Sequence, residues 1–501
     1  MIAGVRYVAA ASLFFCATAL IAAAAQEEPP VQIAEIASPA PPGSVAPVLC
    51  RGRNGTVWLT WLEPDQAGRY RLLCAPFDAD GRGWKRPRFI ASIPSSGRQA
   101  PPATAFAAAD GKSLAAAWTG DHAGRPCILA CVSADGGGEW SQPEPLSGEY
   151  RIGTEPALAA LAEGRFLAAW FEHPPGPEPV GGDELRECVL VSEGKGTGLG
   201  IDRSVSGGSS PSLVSFLDGG ALVAYRGLGE HGVRDILTSR FRHNEWDPGR
   251  AVNDDRWIPD APPAGGPVLA TDGGRVAAAW FTAADDDPRL LASSSPDAGG
   301  RFLMPLTVAT GPIAGRPAVV LLHDNAALIF WNASAAGRGA GFWMRRVTPD
   351  FTLDPPAFLA PASIQAAPVA AIARDYEGKS ASAQILLAFA ADKGIPTVQT
   401  LAITIPEAAL LAAEDTCHCS PAPAELLGYP IRGTIKKVAA GPSVIFLEHD
   451  EVPGILAKGT DPFRAAPDLA AASKTGSRCL ARIERRNGEW WIFDVRLLVS
   501  S

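Results

Sequence analysis

Between residues 121 and 231 three dipeptides set an acid before a histidine: Asp121-His122, Glu172-His173 and Glu230-His231, using three of the chain's seven histidines. Imidazole and carboxylate converging from loops suit a metal ion or a polar ligand. The competing reading is that exposed loops are rich in both. A second group lies in "AYRGLGEHGVRDI", where Tyr225, Arg226, Glu230, Arg234 and Asp235 offer a phenol, two guanidiniums and two carboxylates. Such arginines either clamp an anionic group or form surface ion pairs. A third set, Arg98, Arg151, Glu155, Asp260 and Arg316, falls close to the start of apolar runs and is read as ligand-binding. Cys417-His418-Cys419 crowds two thiols and an imidazole into a tripeptide. Those are Zn or Cu donor types, although such sites need a further ligand, and linker cysteines or disulfide partners are the plainer reading.

A repeat would position these groups. Seven times a proline opens an apolar run, a Gly- or Asp-rich turn follows, and a second run ends in an aromatic residue. The prolines are Pro47, Pro102, Pro156, Pro211, Pro267, Pro317 and Pro368; the aromatics are Trp61, Trp118, Trp170, Tyr225, Trp280, Trp331 and Phe389. A third run and a short fourth follow each time, and no helical period is sustained. Four short strands in each unit of ~50 residues predict an all-β propeller, which must close into a ring to protect its edges. The seventh unit lacks an outer strand after "VQTLAITI", and "VQIAEIAS", Val31 to Ser38, can supply it. Seven blades over 30–408 are therefore expected, with six blades and a stray segment as the alternative. Loops leading into first strands, and loops between second and third strands, share one end of such a ring, and most of the candidates above fall in them.

"SADGGGEW", Ser133 to Trp140, and "SPDAGGRF", Ser295 to Phe302, occupy the same place in the second and fifth units. Both fit S-x-D-x-G-x-x-[W/F]: the Asp can accept backbone N–H bonds, a Gly can take positive φ, and the aromatic can plug between sheets. This turn resembles the Asp box of sialidase-type propellers. With "ALVAYRGLGEHGVRDI" and the segment from "RWIPDAPP" to "GGRF", residues 40–405 resemble bacterial exported proteins of the exo-α-sialidase-like kind. That resemblance implies three arginines on a substrate carboxylate, a Tyr–Glu pair and an acid/base Asp. The first of those arginines has no counterpart in "GSVAPVL", and Tyr225 falls at the repeat's core aromatic position. Tyr225, Arg226, Glu230, Arg234 and Asp235 are the candidates for any residual catalytic set.

After a Pro-Ala-rich linker, 409–427, a new pattern begins. Five strand-like segments over 428–501, from "YPIRGTIKKVAA" to "WWIFDVRLL", suit a small OB-like barrel. "YPIRGTIKKV", "EHDEVPGIL" and "GTDPF" resemble the periplasmic copper-binding domains of efflux chaperones. That resemblance implies Cu(I) held by a His and two Met; His449 stands at the His position, while Gly459 and Asp461 stand at the Met positions. Neither can supply a thioether, the donor a soft ion favours.

The chain opens with Arg6, an apolar run to about Ile21 and Ala23-Ala24-Ala25, which reads as a secretory signal peptide over 1–25. Export to the periplasm or medium follows, with no membrane span in the mature chain. A net charge of −9 argues against nucleic acid. Eight cysteines beyond Cys16 are scattered, and several sit in apolar runs as small core residues rather than a disulfide scaffold. The expected role is non-catalytic binding of a small-molecule, glycan or envelope-protein ligand, with copper or another metal as the cofactor to consider. A sialidase-type glycoside hydrolase with a non-standard site, or a periplasmic copper carrier, are the alternatives.

Overall fold

The computed structural model describes residues 31–406 and 429–497, except 81–82, 95–99, 148–151, 174–182, 192–193, 197, 206–208, 261–262, 264, 312, 336–338, 364–365, 376–381, 393, 440–442, 453–454 and 487–488. The leader, the 409–427 linker, Arg98, Arg151 and Cys417-His418-Cys419 thus lie outside the described residues. Seven antiparallel sheets and one closed five-stranded barrel make up what is described.

Each repeat is one blade. Its proline opens, or lies in, the innermost strand, as in Val45–Arg51, Ile152–Ala160 and Ile313–Leu321, and its aromatic lies on the second strand. The last blade is completed from the other end of the chain: Gln32–Ile36 pairs antiparallel with Pro396–Pro406, Gln32 opposite Thr404 and Ile36 opposite Thr400. That pairing closes a seven-bladed ring and removes the open edge a six-bladed ring with a stray segment would leave.

Second strands are apolar along nearly their whole length because both faces are covered by neighbouring blades. In Leu114–His122, Leu114, Ala116 and Trp118 pack with Trp58 of the blade before, while Ala115 and Ala117 pack with Phe166 and Trp170 of the blade after. The period of two sorts side chains into alternate seams. Small alanines let the sheets approach, and one aromatic fills each seam with the preceding blade: Trp280 with blade four, Trp331 with blade five, Phe389 with blade six.

The Ser-x-Asp turns are built as their sequence suggests. Asp135 Oδ1 accepts the N–H groups of Gly138 and Glu139 at 2.9 and 3.0 Å, and Asp297 Oδ1 accepts that of Arg301 at 2.8 Å. Gly137 (φ 87°) and Gly299 (φ 78°) sit in the left-handed region that favours glycine, and each donates its N–H to the turn's first serine. The described cysteines are free thiols, all but Cys50 fully buried; burial pushes Cys74 up to about 12 and Cys127 to about 11.

The barrel comprises Tyr429–Ala439, Val444–His449, Gly459–Arg464, Arg478–Arg486 and Glu489–Leu497, closed by a parallel contact of Arg464 with Trp491. Ile431, Ile445, Leu447, Phe463 and Ile483 fill it. Among the described residues no helix is long and apolar enough to cross a membrane.

Candidate functional site

The residue before each repeat's proline sits where the innermost strands begin, around the ring's axis. Two of these, Ala46 and Glu155, take positive φ (52° and 55°), and the strands carrying Ala46, Glu155 and Arg316 lose register beside them. Such a bulge re-aims a side chain. Arg316 Nη2 donates to the carbonyls of Pro211 (3.1 Å) and Pro267 (2.6 Å), tying blade six to blades four and five. Glu155 accepts the Ser210 hydroxyl and lies close enough for its charge to act on Arg316. Burial pulls the Arg316 guanidinium down to about 10, with Glu155 opposing the shift. At the other end Arg53 Nη2 reaches the carbonyls of Ala160 and Phe216, both at 3.1 Å, beside a cavity of about 510 Å³ between the innermost strands. Glu155 and Arg316 are therefore brought together, and both are engaged in holding the ring.

The blade-four group is likewise turned inward. Tyr225 is fully buried in the seam with blade three, and its hydroxyl donates to Asp202 Oδ2 at 2.6 Å. Burial, then the Asp202 charge, holds this phenol well above its ordinary range. Glu187, cross-strand partner of Ala169 and so on the face turned to that seam, is pushed up to about 7 by burial. Arg226 is neither a surface ion pair nor free for a ligand: it is 1% exposed, donates to the carbonyls of Arg234 and Phe281, and lies 5.0 Å over the Trp257 ring. Burial lowers it to about 10, with Asp255 and Asp235 opposing.

The three acid–His dipeptides do not share a loop position: Asp121-His122 and Glu172-His173 end the second strands Leu114–His122 and Phe166–His173, Glu230-His231 lies in a turn beyond Ala221–Arg226, and each has its own local partners. Asp121 caps the Gly124 N–H at 2.8 Å, and His122 is exposed. Glu172 is buried under Trp170 Nε1 at 2.9 Å, and His173 faces Asp183 at 3.8 Å. Glu230 and His231 form an exposed turn with His231 at φ 57°. No cluster of three or more His, Cys, Asp or Glu able to hold a metal occurs among the described residues.

Charged groups converge instead where the barrel meets blades four and five. The loop after Arg250–Ala251 carries Asp254, Asp255 and Arg256, and the Arg256 N–H donates to Asp235 Oδ1 at 2.9 Å. From the barrel, Arg432 donates to the Asp255 carbonyl (2.9 Å) and to Asp285 Oδ2 (3.1 Å). Asp450 pairs with Arg256, Glu484 with Arg301 at 2.8 Å, and the fully buried Arg482 reaches the Leu303 carbonyl. Burial raises Asp254 from 3.8 to about 6, against the pull of Arg256 and Arg432. Asp235 is held well above the usual carboxylate range by burial, then by Asp254 and Asp255, with which it shares a hydrogen bond. Above this layer opens a cleft of about 730 Å³, with Arg256, Ile258 and Asp285 on the propeller side and Arg432, Thr434, His449 and Arg478 on the barrel side. The sequence signal for this junction was the run Asn253-Asp254-Asp255-Arg256-Trp257, together with arginines at otherwise apolar barrel positions; nothing in the sequence alone joined the two.

His449 lines the same cleft but is closed off. It is 2% exposed; Nδ1 lies 2.7 Å from the Asp450 carbonyl and Nε2 2.9 Å from Asp461 Oδ2. A carbonyl only accepts, so Nδ1 carries hydrogen, and Nε2 is turned onto the Asp461 carboxylate. The residue at one expected Met position thus occupies the nitrogen a metal would use.

No family model matches the chain and no curated protein does. Solved structures with similar folds include a Dyadobacter fermentans protein of unknown function, 13% identical, covering 75% of this chain and 98% of its own, with a TM-score of 0.42. A Hadza microbial sialidase is 11% identical over 70% of this chain and 66% of its own, TM-score 0.38. The α-L-arabinofuranosidase of Fusarium graminearum in complex with arabinobiose is 11% identical over 63% and 96%, TM-score 0.41.

Proposed function

We propose that this chain is an exported, non-catalytic binding protein that takes a small polar molecule or glycan in the cleft between propeller and barrel. One observation carries it: the side chains a sialidase-type reaction would need are engaged inside the ring, Arg316 and Arg226 on backbone carbonyls and Tyr225 on Asp202. Guanidiniums whose Nη groups already serve backbone carbonyls inside the ring have no fork to offer a substrate carboxylate. The cleft has the opposite character, with solvent access, charged walls and a volume within the range of ligand sites.

In this reading the barrel is a wall of the site rather than a copper carrier. Cu(I) favours thioether, thiolate and imidazole donors, and Asp461 offers His449 a hard carboxylate instead. Incubating the full chain with fluorogenic sialosides and arabinofuranosides, alongside a glycan array, tests the proposal. Binding without turnover supports it; turnover abolished by Glu230→Gln would replace it with a hydrolase. Anaerobic Cu(I) titration against a competing chelator checks the barrel: tight binding lost in His449→Ala would restore the carrier reading.

A further inference from the structure

We propose that the cleft selects a polyhydroxylated anion, an acidic sugar or sugar phosphate, with Arg478 as the group that takes the charge. This rests on the reading of the cleft as the ligand site and adds the chemistry of what enters it.

Strand register makes the ledge. Arg478 lies opposite Thr434, Thr434 opposite Glu448, and Glu448 opposite Thr460, so four polar side chains from four adjacent strands share one face of the barrel wall. All four line the cleft. Next to them Gly433 and Gly459 flank His449 in the neighbouring row. A Cβ on Gly433 would strike the Glu448 carbonyl, so that strand packs closely on its neighbour. Facing the ledge, Ile258 is 59% exposed, an apolar surface suited to the C–H face of a sugar ring.

Charge bookkeeping gives the sign of the ligand. Each carboxylate in the lining already has a cation: Asp285 has Arg432, Asp450 has Arg256 and Lys458, and Glu448 has Lys436 at 2.6 Å. Arg478 is exposed and makes no ion pair among the described residues. In a chain of net charge −9, this is a local excess of positive charge beside two hydroxyls. A guanidinium meets a carboxylate or phosphate with two parallel bonds, and the ring hydroxyls can meet Thr434, Thr460 and Glu448.

Calorimetric titration of the full chain with glucuronate, glucose 6-phosphate and neutral glucose tests this. Both anions are expected to bind at least about tenfold more tightly than glucose, a ratio worth roughly 1.4 kcal/mol, with Arg478→Glu removing that advantage and Arg478→Lys keeping part of it. The ratio of the two anions then reads carboxylate against phosphate. Equal affinity for glucose and the anions, or anion binding unchanged in Arg478→Glu, overturns the proposal while leaving the cleft as a binding site if Ile258→Asp still weakens it. No heat from any of the three probes at about 1 mM overturns it as well, and glycan-array binding elsewhere on the chain then decides whether the binding reading survives.

Discussion

The ring's axis and the domain junction both gather arginines and acids, yet they use them in opposite ways. At the axis Arg316 and Arg53 donate to carbonyls of two other blades each, so every bond joins strands far apart in sequence. At the junction Arg432 and Arg482 also reach carbonyls, but Arg256, Arg301 and Arg432 meet carboxylates across two domains, and Arg478 is left over. A guanidinium on backbone carbonyls is a structural tie: removing it strands buried acceptors. A guanidinium in an exposed ion pair contributes little to stability and remains available to a stronger acceptor. The same residue type therefore reads as scaffold in one place and as site in the other, and burial decides which.

Arg316→Ala should show the largest effect. It leaves two carbonyls without donors, a loss of about 1–3 kcal/mol for each in urea unfolding. A loss below about 1 kcal/mol would mean the axis tie is ornamental. Next is Tyr225→Phe, which strips Asp202 of a donor in a sealed seam and should cost about 1–3 kcal/mol without altering ligand binding.

Stability should also respond to pH. Asp254 and Asp235 are both held above their ordinary range by burial, so the folded chain holds protons that the unfolded chain releases. The contribution of Asp254 to stability is complete below about 3.8 and fades as pH rises through about 6. Urea unfolding between pH 5 and 7.5 should report lower stability at the higher value, and Asp254→Asn should flatten that change. Stability that stays constant across the range would contradict the burial of these acids. The smallest effect is expected for Arg478→Ala, which should leave stability within about 0.5 kcal/mol by thermal melting while changing what the cleft binds.

Much of the ring was legible because each device repeats. The aromatics at Trp118, Trp170 and Trp280 recur at one place in the unit and fill one kind of seam. The borrowed strand was legible too, since the seventh unit lacked a partner that Gln32–Ile36 supplies. Arg316 and Glu155 were visible as charges beside prolines, but not what they bond, because a bulge decides where a side chain points. The junction was out of reach for a different reason. Asp254 and Arg432 are about 180 residues apart in the chain, and charge, unlike apolar periodicity, leaves no pattern that says which surface it will meet.

The division of labour between axis and junction is tested most directly by amide hydrogen exchange of the full chain with and without glucuronate. Protection on binding should fall on Tyr429–Ala439, Gly459–Arg464 and the loop carrying Arg256 and Ile258. Protection confined instead to Ile152–Ala160 and Ile313–Leu321, where Glu155 and Arg316 stand, would place the ligand on the ring's axis and contradict the cleft.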